Sequence, residues 1–114
     1  YKLLENCKIQ SAFAMEYSNM LYSKYECIGD FRIAGLLMAF EIVKDRVSKK
    51  KDNELAEKIL YYCLKHGLSF KLSAGNCITW YVPLIVTQEE LLFAFNVFEK
   101  AINSCRHENL STIK

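Results

Sequence analysis

Glu41 is the side chain whose setting asks most of it, because it interrupts the otherwise apolar run from Leu36 to Val43. A carboxylate there must reach water, a cation or hydrogen-bond donors, since burying it unpaired is costly. Arg32 on the neighbouring extended segment is the cation in reach, so a structural ion pair is the expected role. His66 and His107 stand in a helix's last turn and in the polar tail, where imidazole meets a dipole or solvent. Cys63 and His66 are three apart on one helix face and Cys105 is close to His107. No C-x-x-C pair or matched second half completes a tetrahedral zinc site from them. A cysteine nucleophile needs a helix N-terminus or a basic neighbour to lower its pKa. Cys7, Cys27, Cys63, Cys77 and Cys105 fall mostly on apolar faces, so core packing is their expected role. The glycines at 29, 35, 67 and 75 stand singly at turns and build no phosphate-cradling loop. Trp80 and Tyr81 are aromatic enough to stack bases, but no basic groove residues alternate with them, which speaks against nucleic acid. Residue types and spacing by themselves leave the function open.

The elements that must position these groups are easier to read. Between about Leu3 and Tyr25 there is no Gly or Pro, and Leu3, Cys7, Ala14, Tyr17, Leu21 and Tyr25 recur at helical spacing, which predicts one long amphipathic helix over 3–25. Phe31 and Ile33 alternate with Arg32 and Ala34 as in a half-exposed strand ending at Gly35. Leu36 to Val43 is apolar enough for a central strand covered on both faces. Asp52 or Asn53 can cap the next helix, which carries Leu55, Ile59 and Cys63 on one line, Leu60 and Leu64 beside it, and Gly67 as a left-handed stop. Leu68–Leu72 and Cys77–Leu84 read as a hairpin across a turn-rich spacer, with Pro83 marking its end. Thr87 and Glu90 form a T-x-x-E capping box ahead of a stripe of Leu91, Leu92, Phe95, Phe98 and Ile102. The tail after Cys105 is expected to fray. The predicted fold class is α+β: a small, mainly antiparallel four-stranded sheet packed with three helices in the order α-β-β-α-β-β-α.

Size and composition set outer limits. The 114 residues suit a single domain, and 52% hydrophobic with 25% charged residues is the composition of a folding chain. A net charge of +2 implies neither nucleic acid nor an anionic membrane surface, and Lys49–Lys51 reads as a solvated turn. An odd number of scattered cysteines suits a reducing, cytoplasmic setting. No apolar run is long enough for a membrane span. A chain opening at Tyr1 without Met, on a helical segment, is expected to be a piece of a longer protein.

Three blocks, in order and at regular spacing, carry a resemblance. Residues 28–45, IGDFRIAGLLMAFEIVKD, resemble the stretch by which class III aminotransferases enter their small C-terminal domain, I-G-D-V-R-G-x-G-L-M-x-G-I-E-L-V-x-D. Residues 54–67, ELAEKILYYCLKHG, followed by Leu68, look like the family's next helix. Residues 75–91, GNCITWYVPLIVTQEEL, are similar to G-N-V-I-R-L-x-P-P-L-x-I-T-x-E-E-L. The opening LLENC at 3–7 resembles the start of the family's preceding long helix. The resemblance implies the C-terminal domain of a fold-type-I enzyme of the ω-amino acid or 4-aminobutyrate type. In such an enzyme pyridoxal phosphate is bound through a lysine of the large domain, and an amino donor passes its amino group to a 2-oxo acid. It further implies a homodimeric parent, with this domain packed on its own large domain and holding no catalytic, cofactor or metal residue itself. Thr79 is the expected substrate-facing residue, because many members place there an arginine that forks onto a substrate carboxylate. A hydroxyl cannot do so, which points to ω-amino acids, amines or diamines. Ile33 and Val82 stand where the family has Gly and Pro. A free-standing α+β binding module, or an inactive relative used as a scaffold, is the alternative.

Overall fold

The computed structural model describes residues 3–35, 37–82 and 86–113, with side chains up to residue 106. The elements run α1 (Leu3–Lys24), β1 (Ile28–Ala34), β2 (Leu37–Ile42), α2 (Asn53–Lys65), β3 (Lys71–Ser73), β4 (Cys77–Tyr81) and α3 (Gln88–Ile113), the order expected from the sequence. The four strands form one antiparallel sheet in the order β1-β2-β4-β3. The tail expected to fray instead continues the last helix to Ile113. Pro83 and Leu84, read as the end of the hairpin, lie outside the described residues.

Alternation of side chains along a strand decides which face the helices cover. Met38, Phe40 and Ile42 of β2 and Ile78 and Trp80 of β4 are buried and share one core with Leu55, Ile59 and Cys63 of α2 and Leu91, Phe95, Phe98 and Ile102 of α3. Phe40 is the hub: its ring lies 5.6 Å from Trp80, 5.0 Å from Phe98 and 6.5 Å from Phe95, tilted or edge-on. Such offset contacts add to the burial of each ring. The residues between them, Leu37, Ala39 and Glu41, are exposed or half-buried. Double coverage of β2 is therefore not what this chain provides: the apolar run reflects one packed face plus Leu37 and Ala39 on the other.

The first strand starts earlier than the alternation suggested, and the reason is a bulge. Ile28 pairs with Ile42 but Asp30 pairs with Glu41, a register shift at Gly29. Ile28, Phe31 and Ile33 all pack toward the core. A regular strand could not put residues 28 and 31 on one face, so one extra residue must be absorbed. Gly29 absorbs it because a Cβ there would lie 2.8 Å from both Val43 methyl groups.

The helix ends carry the devices their sequences advertise. The Asp52 carboxylate accepts from the Leu55 N–H at 3.0 Å, and Gly67 adopts a φ of 89° just beyond α2. The Thr87 N–H donates to the Glu90 carboxylate at 2.9 Å while the Glu90 N–H donates to Thr87 Oγ1 at 3.1 Å, a reciprocal capping box. Two polar clusters fasten α1. The Arg46 guanidinium donates to the carbonyls of Tyr22, Tyr25 and Ile28 and stacks 3.9 Å from the Tyr22 ring, so a loop cation closes the helix's C-terminal end. Glu99 of α3 accepts from Lys24 Nζ at 2.7 Å, Tyr25 OH at 2.8 Å and Tyr17 OH at 3.2 Å. Burial alone would raise the Glu99 pKa, but these donated bonds outweigh it and hold the carboxyl below the ordinary glutamate value.

Two outcomes follow from this packing. Gly29→Ala should cost about 1–3 kcal/mol in denaturant unfolding through overpacking against Val43. Adding Val43→Ala should make the double variant less destabilised than the sum of the two single changes, whereas strict additivity would exclude the contact as the cause. Because the folded pKa of Glu99 lies below its unfolded value, its contribution is present above roughly pH 4.3 and lost as pH falls further. Glu99→Gln should therefore flatten the acid limb of the stability profile, by roughly 1 kcal/mol for so accessible a cluster. An unchanged limb would remove Glu99 as its source.

Candidate functional site

With the helices on one side, the sheet's other side presents the alternate residues of all four strands. One row crosses it in register: Arg32 of β1 pairs with Ala39 of β2, Ala39 with Thr79 of β4, and Thr79 with Lys71 of β3. The row is small in the middle and cationic at both ends. Thr79, singled out from the sequence, is its least accessible member at 9% exposure, whereas Arg32 and Lys71 are exposed. The two cations differ in their company. Arg32 faces Glu41 at 3.6 Å, which is the ion pair expected for the carboxylate in the apolar run. Lys71 Nζ lies 5.7 Å from the centroid of the exposed Tyr81 ring, and among the described residues no carboxylate comes within ion-pair distance of it.

Where β4 ends, the sheet opens into a cleft of about 300 Å³ between Leu68 and Ser69, the strand's last residues and the first turns of α3. Among the described residues its lining is mostly apolar, including Trp80, Val82, Val86, Leu91 and Ala94, with Ser69, Tyr81 and Glu90 carrying polar groups. The Trp80 indole N–H is buried and has no hydrogen-bond partner among the described residues. Thr79 is not part of this cleft; Tyr81 borders both the cleft and the open face. His66 is exposed, stacks on Tyr62 and uses Nδ1 on the Tyr62 carbonyl at 2.8 Å, a helix-end role. The His107 side chain lies outside the described residues.

Sequence reasoning reached Thr79, Arg32 and Glu41, weighed Tyr81 only as a base-stacking aromatic, and passed over Lys71. The signal was the length of the hairpin turn. With Ala74, Gly75 and Asn76 as the connection, Ser73 must face Cys77, and counting back two residues puts Lys71 opposite Thr79 on the same face. The positive φ values of Ala74 (55°) and Gly75 (83°) fix that tight turn.

No family model matches the chain. It is 46% identical over 100 residues to the (R)-1-hydroxy-2-aminoethylphosphonate ammonia-lyase of Vibrio splendidus, covering 88% of this chain and 21% of that protein. It is 32% identical over 82 residues to an adenosylmethionine-8-amino-7-oxononanoate aminotransferase of Geobacter sulfurreducens, 69% of this chain and 18% of the relative. The solved ω-transferase of Vibrio fluvialis superimposes with a TM-score of 0.86 at 26% identity, over 96% of this chain and 26% of the other. The chain belongs to the class III, pyridoxal-phosphate-dependent aminotransferase family. It spans about a fifth of the length of the curated relatives it matches, corresponding to their C-terminal part.

Membership of this aminotransferase family raises the question whether these residues could hold the coenzyme. They do not fit it. An aldehyde coenzyme needs a sheltered amine, yet every described lysine is exposed or, for Lys58, half-buried, and none lines the cleft. Phosphate capture by the glycines fares no better, since each described glycine serves a separate turn or bulge.

Nucleophilic chemistry by the thiols is likewise disfavoured. Burial pushes the Cys63 thiol up to about 12, with Cys105 nearby adding to the shift, and burial pushes Cys27 up to about 11. Cys105 is buried as well, while Cys7 and Cys77 are partly exposed. Brief treatment of the folded chain with iodoacetamide at pH 7.5 should alkylate Cys7 and Cys77 and spare Cys27, Cys63 and Cys105; peptide mass spectrometry would read this, and early labelling of Cys63 would contradict the burial argument.

Proposed function

We propose that these residues are the C-terminal domain of a longer pyridoxal-phosphate enzyme that acts on the amino group of an amine or ω-amino acid, with a 2-oxo acid as acceptor. The observation that carries this reading is the similarity along most of the chain to relatives of that family, joined to a backbone match of TM-score 0.86 to an ω-transferase. The coenzyme, an electron sink for amino-group chemistry when bound, is held by a lysine of the large domain outside these residues. This domain packs on that large domain and offers its open sheet face, with Thr79 at the centre, to the part of the substrate away from the reacting amine. The four strands are tied edge to edge and backed by the ring cluster around Phe40, so Thr79 and its neighbours stand on a rigid platform. A homodimeric, cytoplasmic parent is part of the proposal; among the described residues no helix is long and apolar enough to cross a membrane.

A second reading is favoured by one observation. The 46% identical relative is an ammonia-lyase, so release of ammonia rather than its transfer is an open outcome for the same framework. The two separate cleanly in the full-length protein loaded with pyridoxal phosphate. Amine consumption that depends on an added 2-oxo acid and yields the matching amino acid supports transfer. Ammonia release without an acceptor supports elimination. Failure to develop the coenzyme's visible absorbance, together with no loss of any amine tested, would sink both and leave a non-catalytic module.

A further inference from the structure

The row of residues across the open face does more than display Thr79. We infer that Lys71 and Thr79 together form a subsite for the anionic end of the substrate, and that a tetrahedral phosphonate or phosphate oxyanion suits it better than a planar carboxylate. This rests on the reading above that the open face meets the substrate.

Directly opposed residues in an antiparallel pair carry their Cβ atoms about 5 Å apart, so the Thr79 hydroxyl and the base of the Lys71 side chain are immediate neighbours. Long stems flank short ones, with Arg32 and Lys71 at the ends and Ala39 and Thr79 between them. The Tyr81 ring draws the Lys71 ammonium along the open face toward the end of β4, instead of letting it trail off the edge strand into solvent. Charge is uneven along the row. Glu41 answers Arg32, whereas Lys71 has no carboxylate partner among the described residues, so the β3 end keeps an uncompensated positive charge. Thr79 is nearly buried, and a donor in a partly dehydrated setting binds an anion more strongly than the same donor in water.

The donor geometry then selects the anion. A guanidinium offers two parallel N–H bonds matched to the plane of a carboxylate, and this pair cannot imitate that fork. An ammonium is a point charge with three donors, and a hydroxyl adds a single bond from a different direction. Oxygens arranged as a tetrahedron can take bonds from both directions at once. A second negative charge on the same group also increases its attraction to the Lys71 ammonium.

The test uses the full-length protein loaded with pyridoxal phosphate, as wild type, Lys71→Met and Lys71→Arg. Three amines of similar size serve as probes: 2-aminoethylphosphonate, 3-aminopropanoate and propylamine. Wild type should favour the phosphonate over the carboxylate in kcat/KM. Lys71→Met should lower the ratio of kcat/KM for the phosphonate to that for propylamine by about tenfold or more, mainly through KM, as loss of one charge-assisted contact predicts. Lys71→Arg should restore part of that ratio and shift preference toward the carboxylate. An unchanged ratio in Lys71→Met, or an equal loss for propylamine, would overturn the subsite. Should wild type consume no amine at all, the catalytic reading fails separately, and calorimetric binding of 2-aminoethylphosphonate decides the subsite. Binding that Lys71→Met abolishes sustains it; no binding by wild type, or equal binding by the variant, overturns it.

Discussion

Everything in this small domain is phased by the contact of Phe40 with Trp80, Phe95 and Phe98. These rings join the two central strands to the last helix, and each is nearly or fully buried. Replacing any one by a small residue would remove several kcal/mol of packing, on the order of 3–5 for a Phe in a core. More important is what the contact forbids. A slip of one residue in β2 would turn Phe40 outward and bring Ala39 and Glu41 into the core, so the register cannot drift. The open face is the complement of that fixed core, and its row of residues inherits the same precision.

Several local devices serve this phasing. The bulge at Gly29 lets Ile28 and Phe31 face the core despite their odd separation. The tight turn through Ala74 and Gly75 sets β3 against β4, and Asn76 anchors the turn by donating from Nδ2 to the Ile42 carbonyl at 3.0 Å while its own carbonyl accepts from the Ile42 N–H at 2.9 Å. Arg46 and Glu99 work at the periphery, holding α1 where its Leu21, and Tyr25 just beyond it, complete the core beside β1 and α3. These are charge-assisted bonds to backbone carbonyls and to phenols, stronger singly than a neutral bond but partly open to water.

Much of this was legible in the amino-acid order because its local signals agree with the global fold. The Asp52 cap, the Thr87–Glu90 box, the Gly67 stop and the long glycine-free first helix each name an element without tertiary information. What was not legible depended on pairing. Gly29 reads as a break until Asp30 is seen opposite Glu41, and the run from Leu36 to Val43 reads as doubly covered until Leu37 is found exposed and Ala39 and Glu41 half-buried. The helical course beyond Cys105 ran against a polar composition, as capping and continuity of a helix already packed along its first half outweigh propensity at its end. Lys71 is one charged residue in a three-residue strand and carries no pattern of its own. Only its register opposite Thr79 gives it meaning.

That register also bears on the departure at position 79. The arginine that the family resemblance leads one to expect there would stand directly opposite Lys71, and like charges facing each other across an antiparallel pair are destabilising. Arg32 could not relieve the pair, because Ala39 intervenes and its own charge is of the same sign. A hydroxyl at 79 and an ammonium at 71 are thus compatible where two cations would compete for the same space and the same counter-charge. In the proposed subsite the cation stands one strand outward from position 79, at the edge of the sheet, where the side chain has more freedom and its solvation costs less to keep. Under that proposal the pair lacks the fixed plane of a guanidinium fork and has instead a charge that can adjust to the shape of the group it meets.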